Sequence, residues 1–335
     1  MNQNSTYRKT SEIVRKYDFN FRKRFGQNFL TDSSVLEQIV EASKITKEDL
    51  VIEIGPGIGT LTQYLCEAAG QVAAIEIDRD LVKILEDTLK DYDNVRVIEG
   101  DVLKTDLCAL AGEYGIGTGK MAQAAGGIPE ACAEAEKQET PAQSGEDLPL
   151  RHLKIVANLP YYITTPILMG LFEQHVPAEK ITVMVQKEVA ERMTAACGSK
   201  DYGSLSLAVQ YYSRPHIEVV VPASSFMPSP KVDSAVVSLD VYRDKPVKAK
   251  DEALLKAVVR AAFGQRRKTL SNSLGNAAEV PVSRQQVAEI LDEMGLVSSV
   301  RGETLTLAQF VRLADLIAES GRSPKTDAGE PGKAM

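Results

Sequence analysis

From about residue 21 to residue 243, short runs of consecutive aliphatic and β-branched residues alternate with stretches of helical period. The apolar runs at 50–54, 72–75, 95–99, 153–157, 181–185, 217–221 and 234–241 predict strands. Segments 33–43, 59–66, 78–90, 166–172 and 187–194 predict helices between them, and Pro166 suits a first helical turn. Strands that are apolar on both faces need cover on both faces. The expected fold is therefore α/β, a doubly wound and mostly parallel seven-stranded sheet. Beyond residue 244 the period turns all-helical. Leu254, Ala257, Val258 and Ala261 share one helical face, as do Val287, Ile290, Leu291 and Met294, and Phe310, Leu313, Ala314 and Ile317. Ser283 with Gln286 and Thr306 with Gln309 have capping-box spacing, and Leu305 with Phe310 fits the accompanying hydrophobic staple. A small all-helical domain is expected to follow the sheet.

The alternation breaks between the third and fourth strands. Residues 107–150 are rich in Gly, Ala and Glu and offer little apolar surface to offset their ordering entropy, so they predict a low-complexity surface insertion. The expected organisation is a basic N-terminal tail at 1–20, a sheet domain at 21–243, a helical domain at 244–320 and a disordered tail at 321–335.

Composition narrows the function classes. Among 335 residues, 44% are hydrophobic and no apolar run approaches the ~18 residues a membrane span needs. The N-terminus is polar and basic without an apolar leader core, so the expected location is the cytoplasm. Cys66, Cys108, Cys132 and Cys197 form no C-x-x-C pair, and His152, His175 and His216 match no ligand spacing; no metal is expected. The net charge of −7 argues against a polyanionic partner until its distribution is considered. Seven bases lie between Arg8 and Arg24 against Glu12 and Asp18, and Lys256, Arg260, Arg266, Arg267 and Lys268 form a second basic cluster. Local sign decides whether a polyanion can dock.

The candidate chemistry sits at strand ends. Leu50-Val-Ile-Glu-Ile runs directly into Gly55, Gly57 and Gly59, where glycine allows a sharp turn and close approach of backbone to a ligand. The third glycine of a dinucleotide fingerprint is replaced by Thr60, which disfavours an NAD enzyme. Glu76 ends the second strand, placed to accept hydrogen bonds from ribose hydroxyls, and Asp101 ends the third, within reach of an adenine amino group. Either acid could instead simply cap the following helix or turn. The fourth strand ends Asn158-Leu159-Pro160-Tyr161.

That last motif resembles the N/D-P-P-Y/F signature of S-adenosylmethionine-dependent amino-methyltransferases, in the form found in ribosomal RNA adenine N6,N6-dimethyltransferases. Phe25-Gly-Gln-Asn-Phe-Leu30, Glu53-Ile-Gly-Pro-Gly-Ile-Gly59, Glu76-Ile-Asp78, Glu99-Gly-Asp-Val-Leu103 and Phe226-Met-Pro-Ser-Pro-Lys-Val-Asp-Ser234 are similar to the other blocks of that family. Phe263-Gly-Gln-Arg-Arg-Lys-Thr-Leu270 and the helical extension resemble its small-subunit members more than its macrolide-resistance members.

The resemblance implies a class I methyltransferase sheet, S-adenosyl-L-methionine as cofactor, and dimethylation of two adjacent adenines near the 3′ end of small-subunit (16S) ribosomal RNA. It implies a monomer acting on that RNA or on a pre-small-subunit particle. It assigns Asn28, Leu30, Gly55, Gly57, Glu76, Asp101 and Asn158 to the cofactor. Asn158, Leu159, Pro160, Tyr161 and Phe226 fall to the target base, and Arg22, Lys23, Arg24, Arg266, Arg267 and Lys268 are candidates for RNA phosphates. The alternatives are a large-subunit methyltransferase conferring macrolide resistance, or a non-catalytic assembly or transcription factor on the same fold.

Overall fold

The computed structural model describes residues 3–18, 27–117 and 150–320. Its chain divides into two compact units, one of residues 1–194 and 212–244, the other of residues 195–211 and 245–335.

The first unit is built on a seven-stranded sheet. Strands β2 (Asp49–Ile54), β3 (Gln71–Glu76), β4 (Val95–Glu99), β5 (His152–Asn158), β6 (Ala178–Gln186), β7 (Ser213–Val221) and β9 (Ser234–Val241) lie in the order β4-β3-β2-β5-β6-β9-β7. The first five of these are mutually parallel, while β9 runs antiparallel to β6 and β7 antiparallel to β9. All six residues of β2 are buried, as a central strand covered on both faces requires. The chain winds outward from β2 to β4 and then returns to β5 on the other side of β2. The carboxyl ends of β2 and β5 therefore flank a topological switch point, where such sheets bind ligands.

The helices of this unit are α1 (Gln3–Lys16), α2 (Ser33–Ser43), α3 (Thr60–Ala68), α4 (Arg79–Thr88), α5 (Leu107–Glu113), α6 (Thr164–Glu173) and α7 (Lys187–Thr194). Asp32, Asp78 and Asp106 cap α2, α4 and α5 by accepting backbone N–H groups of their first turns. The two-residue strands β1 (Phe29–Leu30) and β8 (Phe226–Met227) pair antiparallel as a separate ribbon.

Two expectations change. The segment at 1–20 is not a plain tail, because residues 3–16 form α1, with Thr6 and Thr10 buried. The insertion expected at 107–150 is also drawn too wide. Leu107, Leu110 and Ala111 of α5 are buried, so these residues belong to the packed unit, and 118–149 lie outside the described residues, Cys132 among them.

The second unit contains α8 (Ser204–Tyr212), whose last residue is grouped with the sheet, and α9 (Glu252–Gly264), α10 (Leu270–Leu274), α11 (Arg284–Glu293) and α12 (Leu307–Ser320). Residues 195–211 thus join the helical unit, which extends the expected domain at 244–320 backwards along the chain. The predicted faces of α11 and α12 supply its core, with Val287, Ile290, Leu291, Phe310, Leu313, Ala314 and Ile317 buried, whereas the face of α9 is displaced by one residue: Leu255, Val258, Val259 and Ala262 are buried, and Leu254, Ala257 and Ala261 only partly so. Tyr202 fills the same core, its ring edge-on to Phe263 and its hydroxyl donating to the Leu305 carbonyl at 2.9 Å. Ser283 and Gln286 form the expected capping box. Thr306 and Gln309 do the same, with Thr306 N–H donating to Gln309 Oε1 at 2.9 Å and Gln309 N–H to Thr306 Oγ1 at 3.3 Å. The expected tail, 321–335, lies outside the described residues.

Candidate active site

The first unit carries a cavity at the carboxyl ends of β2, β3 and β5, lined among others by Asn28, Leu30, Glu53, Gly55, Gly57, Glu76, Asp101, Asn158 and Phe226. Gly55, Gly57 and Gly59 all have positive φ, at +70°, +63° and +85°, which side chains rarely adopt. Gly57 has a second reason to lack a side chain, since a Cβ there would come within 3.1 Å of the Phe29 ring.

Glu76, 5% exposed, turns toward this glycine loop. Its Oε2 accepts the Gly57 N–H at 3.2 Å and its Oε1 the Asp78 N–H at 2.9 Å. Burial pushes its carboxyl up to about 7, with the N–H groups of Asp78, Gly57 and Ile77 pulling the other way. Glu53, which the sequence reading treated only as part of a motif, is a second cavity-lining acid. Burial, reinforced by the nearby Glu76 carboxylate, pushes it up to about 8. Its Oε2 has no hydrogen-bond partner among the described residues.

Asp101 closes a turn and lies at the cavity. Its Oδ1 accepts the Leu103 N–H at 3.1 Å and so closes the turn after β4, while the residue also lines the cavity. Its Oδ2 lies 3.7 Å from the Lys104 ammonium.

The Asn158 amide is oriented by its surroundings. Its Nδ2 donates to the Asn28 carbonyl at 3.2 Å; a carbonyl can only accept, so Oδ1 is left as the free end of the amide. Leu159 N–H donates to the Met184 carbonyl at 3.2 Å, and its own carbonyl accepts no hydrogen bond among the described residues. The Pro160 carbonyl closes the turn by accepting from Ile163 N–H at 3.1 Å and from the Thr164 hydroxyl at 3.3 Å. The helix that follows starts at an Ile163 cap position with no capping side chain, so Asn158 is not engaged there. Tyr161 is anchored by a 2.7 Å hydrogen bond between its hydroxyl and that of Ser234. Phe226, buried, faces Leu30 across the β1–β8 ribbon.

Two exposed aromatic or apolar side chains at this cavity were not singled out from sequence. Tyr162 is 61% exposed and Ile77 is 50% exposed, and both line the cavity. An apolar residue that stays exposed at a strand tip beside a cavity-lining acid is the available signal, but it needs the exposure to be known. Among the described residues no group of His, Cys, Asp and Glu could hold a metal ion.

The phosphate-contact candidates divide. Arg22, Lys23 and Arg24 lie outside the described residues. In the helical unit Arg266, Arg267 and Lys268 are all exposed, and the Arg266 guanidinium in addition donates to the carbonyls of Lys200 and Tyr202 and lies 3.2 Å from Glu303. Arg266 is thus a clasp within its own unit.

Comparison with known proteins accounts for this combination. A match to the family described as ribosomal RNA adenine dimethylase spans residues 18–318. The chain belongs to that family. Among dimethylase relatives, a protein named ribosomal RNA small subunit methyltransferase A from Lachnoclostridium phytofermentans is 51% identical over 313 residues, covering 93% of this chain and 97% of that one. A protein of the same name from Streptococcus thermophilus is 44% identical over 319 residues, covering 94% and 98%. Among solved structures, a dimethyladenosine transferase from Plasmodium falciparum aligns with a TM-score of 0.64 at 25% identity, over 85% of this chain and 95% of that one. The 23S rRNA methyltransferase ErmE shares the fold, with a TM-score of 0.59 at 23% identity, over 87% of this chain and 100% of that one. The doubly wound sheet expected from the apolar runs is the dimethylase fold.

Proposed function

We propose that this dimethylase uses S-adenosyl-L-methionine to convert two adjacent adenines near the 3′ end of small-subunit ribosomal RNA to their N6,N6-dimethyl forms, as a cytoplasmic monomer during small-subunit assembly. The observation that carries the reading is the Asn28–Asn158 hydrogen bond, which leaves Asn158 Oδ1 and the neighbouring Leu159 carbonyl as two acceptors beside one cavity.

The cavity's donor set fits the cofactor. Among the described residues Glu53, Glu76 and Asp101 line it and no lysine or arginine does, which suits a cationic nucleoside. Glu76 would hold the ribose hydroxyls, Asp101 the adenine amino group, and the backbone at Gly55 and Gly57 would allow close approach, with Asn28 and Leu30 forming the wall in front. When bound, S-adenosylmethionine supplies a methyl group on a sulfonium sulfur.

The chain's own task is to prepare the acceptor nitrogen. The N6 lone pair of adenine is delocalised into the ring, so the amine is a poor nucleophile. Asn158 Oδ1 and the Leu159 carbonyl accept its two hydrogens, favour tetrahedral nitrogen and stabilise the positive charge that develops there. Pro160 stiffens the turn that presents them and brings no N–H to compete. Tyr161, tethered to Ser234, and Phe226 hold the flipped base by its faces. No general base is needed, because the alkylated ammonium is acidic enough to lose its proton to water. Arg267 and Lys268 supply phosphate contacts.

The relatives at 44–51% identity bear small-subunit names, which favours that substrate over large-subunit RNA. The test is incubation with S-adenosylmethionine and unmodified small- or large-subunit RNA, free or in particles, followed by nucleoside mass analysis. Dimethyladenosine from small-subunit RNA alone is expected. Methylation of large-subunit RNA, or of neither, would overturn the proposal.

A further inference from the structure

The family match begins at residue 18, so α1 lies outside the region it covers. The helix is nevertheless docked. Thr6 and Thr10 are buried, and Ile13, Val14 and Tyr17 pack against a cluster of Phe29, Ile58, Leu81 and Ile84. Its C-terminal end is held to α4 through a single acid: the Tyr17 hydroxyl donates to Asp87 Oδ2 at 2.6 Å and Lys16 pairs with the same oxygen. The Lys16 ammonium also lies 5.0 Å from the centre of the Tyr17 ring, which fixes that ring from one side.

Three members of the cluster, Phe29, Ile58 and Leu81, also line the cavity. Their other side is what α1 covers. Phe29 lies against Gly57, close enough that a methyl group there would meet its ring, and the Gly57 N–H donates to Glu76. A chain of contacts therefore runs from Ile13, Val14 and Tyr17 through Phe29 and Ile58 to the glycine loop and its acid.

We propose that Ile13, Val14 and Tyr17 are positioning residues for the cofactor: α1 acts as a brace that holds the Phe29–Ile58 wall, and through it the Gly57–Glu76 contact, in the geometry that receives S-adenosylmethionine. The proposal rests on the cofactor reading above. It also has a thermodynamic corollary. If the docked helix favours the ligand, the ligand must favour the docked helix by the same factor. Exposed positions on the outer face of α1, Arg8, Glu12 and Arg15, take no part in this coupling.

The experiment compares the unaltered chain with Ile13→Asp/Val14→Asp, which undocks the helix, and with Tyr17→Phe, which removes only the hydroxyl bond to Asp87. S-adenosylhomocysteine affinity is measured by calorimetry, and backbone amide exchange of residues 3–17 is followed with and without that ligand. The double variant is expected to lose affinity about tenfold, within the usual range for coupled sites, and Tyr17→Phe to lose less. In the unaltered chain the ligand should slow exchange in α1 by a similar factor. In turnover the KM for S-adenosylmethionine should rise while kcat at saturation and RNA affinity stay put, a split that a purely stabilising helix would not produce.

Unchanged affinity in a folded double variant whose α1 amides exchange freely would overturn the brace, as would α1 exchange that ignores the ligand. Failure of the unaltered chain to bind S-adenosylhomocysteine would instead overturn the cofactor reading, and the brace with it.

Discussion

Glu53 is a carboxyl group that the fold holds where ionisation is costly, and replacing it by Gln should change how stability depends on pH. The group is wholly buried in β2, its Oε2 has no partner among the described residues, and burial pushes it up to about 8 from an ordinary value of 4.5. The folded state therefore binds this proton more tightly than the unfolded chain. Stability is highest while both states are protonated, below about 4.5, and falls as pH rises toward 8. Linkage over a shift from 4.5 to about 8 gives a loss of roughly 3–4 kcal/mol between pH 5 and pH 8, at about 1.4 kcal/mol per pH unit. For a unit of this size that corresponds to a fall in Tm on the order of 10 °C. Glu53→Gln keeps the shape and cannot ionise, so that part of the slope should vanish. Any constant cost of the amide shifts the whole curve and leaves the slope alone. Glu76, pushed up to about 7, remains in the variant and should retain a shallower slope of the same sign. Thermal unfolding of the ligand-free protein at half-unit steps from pH 5 to pH 8 measures this directly. Parallel Tm profiles for the two proteins would mean that Glu53 is not held neutral, and the account of a desolvated acid beneath the glycine loop would be wrong.

Glu76→Ala removes the acceptor proposed for the ribose and should weaken S-adenosylhomocysteine binding by about 1.5–3 kcal/mol; unchanged calorimetric affinity in a folded variant would remove that role. With Glu76 intact, the same affinity should decline as pH drops from 8 to 6, because the carboxyl protonates near 7 and one acceptor becomes a donor. Asn158→Ala should lower kcat by roughly 10²–10³, the cost typical of losing one group that stabilises developing charge, with RNA affinity retained; rescue by saturating RNA would reduce Asn158 to a binding residue. Replacing Arg267 and Lys268 by Ala should weaken RNA binding and flatten its salt dependence, whereas Arg266→Ala should chiefly lower the melting temperature of the helical unit, since its guanidinium is spent on Lys200, Tyr202 and Glu303. A salt slope identical to wild type in the Arg267/Lys268 pair would exclude those phosphate contacts.

Strand order aside, the sheet was legible because each parallel strand is built on a short, mostly apolar run in which single charged residues such as Glu53, Arg96 and Lys154 do not mask the pattern, and the candidate site was legible because glycines, acids and Asn158 sit at strand tips that follow those runs. What escaped the sequence depended on partners far along the chain. The Asn28 carbonyl that orients Asn158 is 130 residues away from it. Strands β1 and β8 have two residues each, too few for any periodicity to register. Helix α1 has a basic outer face and buries two threonines, so its composition looked like a solvated tail until its cover on Phe29 and Ile58 was seen. Helix α5 is seven residues of mostly small side chains and merged with the glycine- and alanine-rich stretch after it, although Leu107, Leu110 and Ala111 are buried. Arg266 shows the converse: a basic run is visible in sequence, but which of its members is free is decided by where the neighbouring carbonyls fall.

The ribbon of β1 and β8 joins Leu30, near the start of the chain, to Phe226, close to the end of the sheet unit. During synthesis, one wall of the pocket leaves the ribosome long before its partner has been made. The strands from β2 to β7 all precede Phe226 in the chain, and a nascent chain stopped short of that residue lacks the finished pocket however well its glycine loop is formed. Ligand binding then reports synthesis at least as far as Phe226, and a bound nucleoside stabilises the unit only once both walls of its pocket exist.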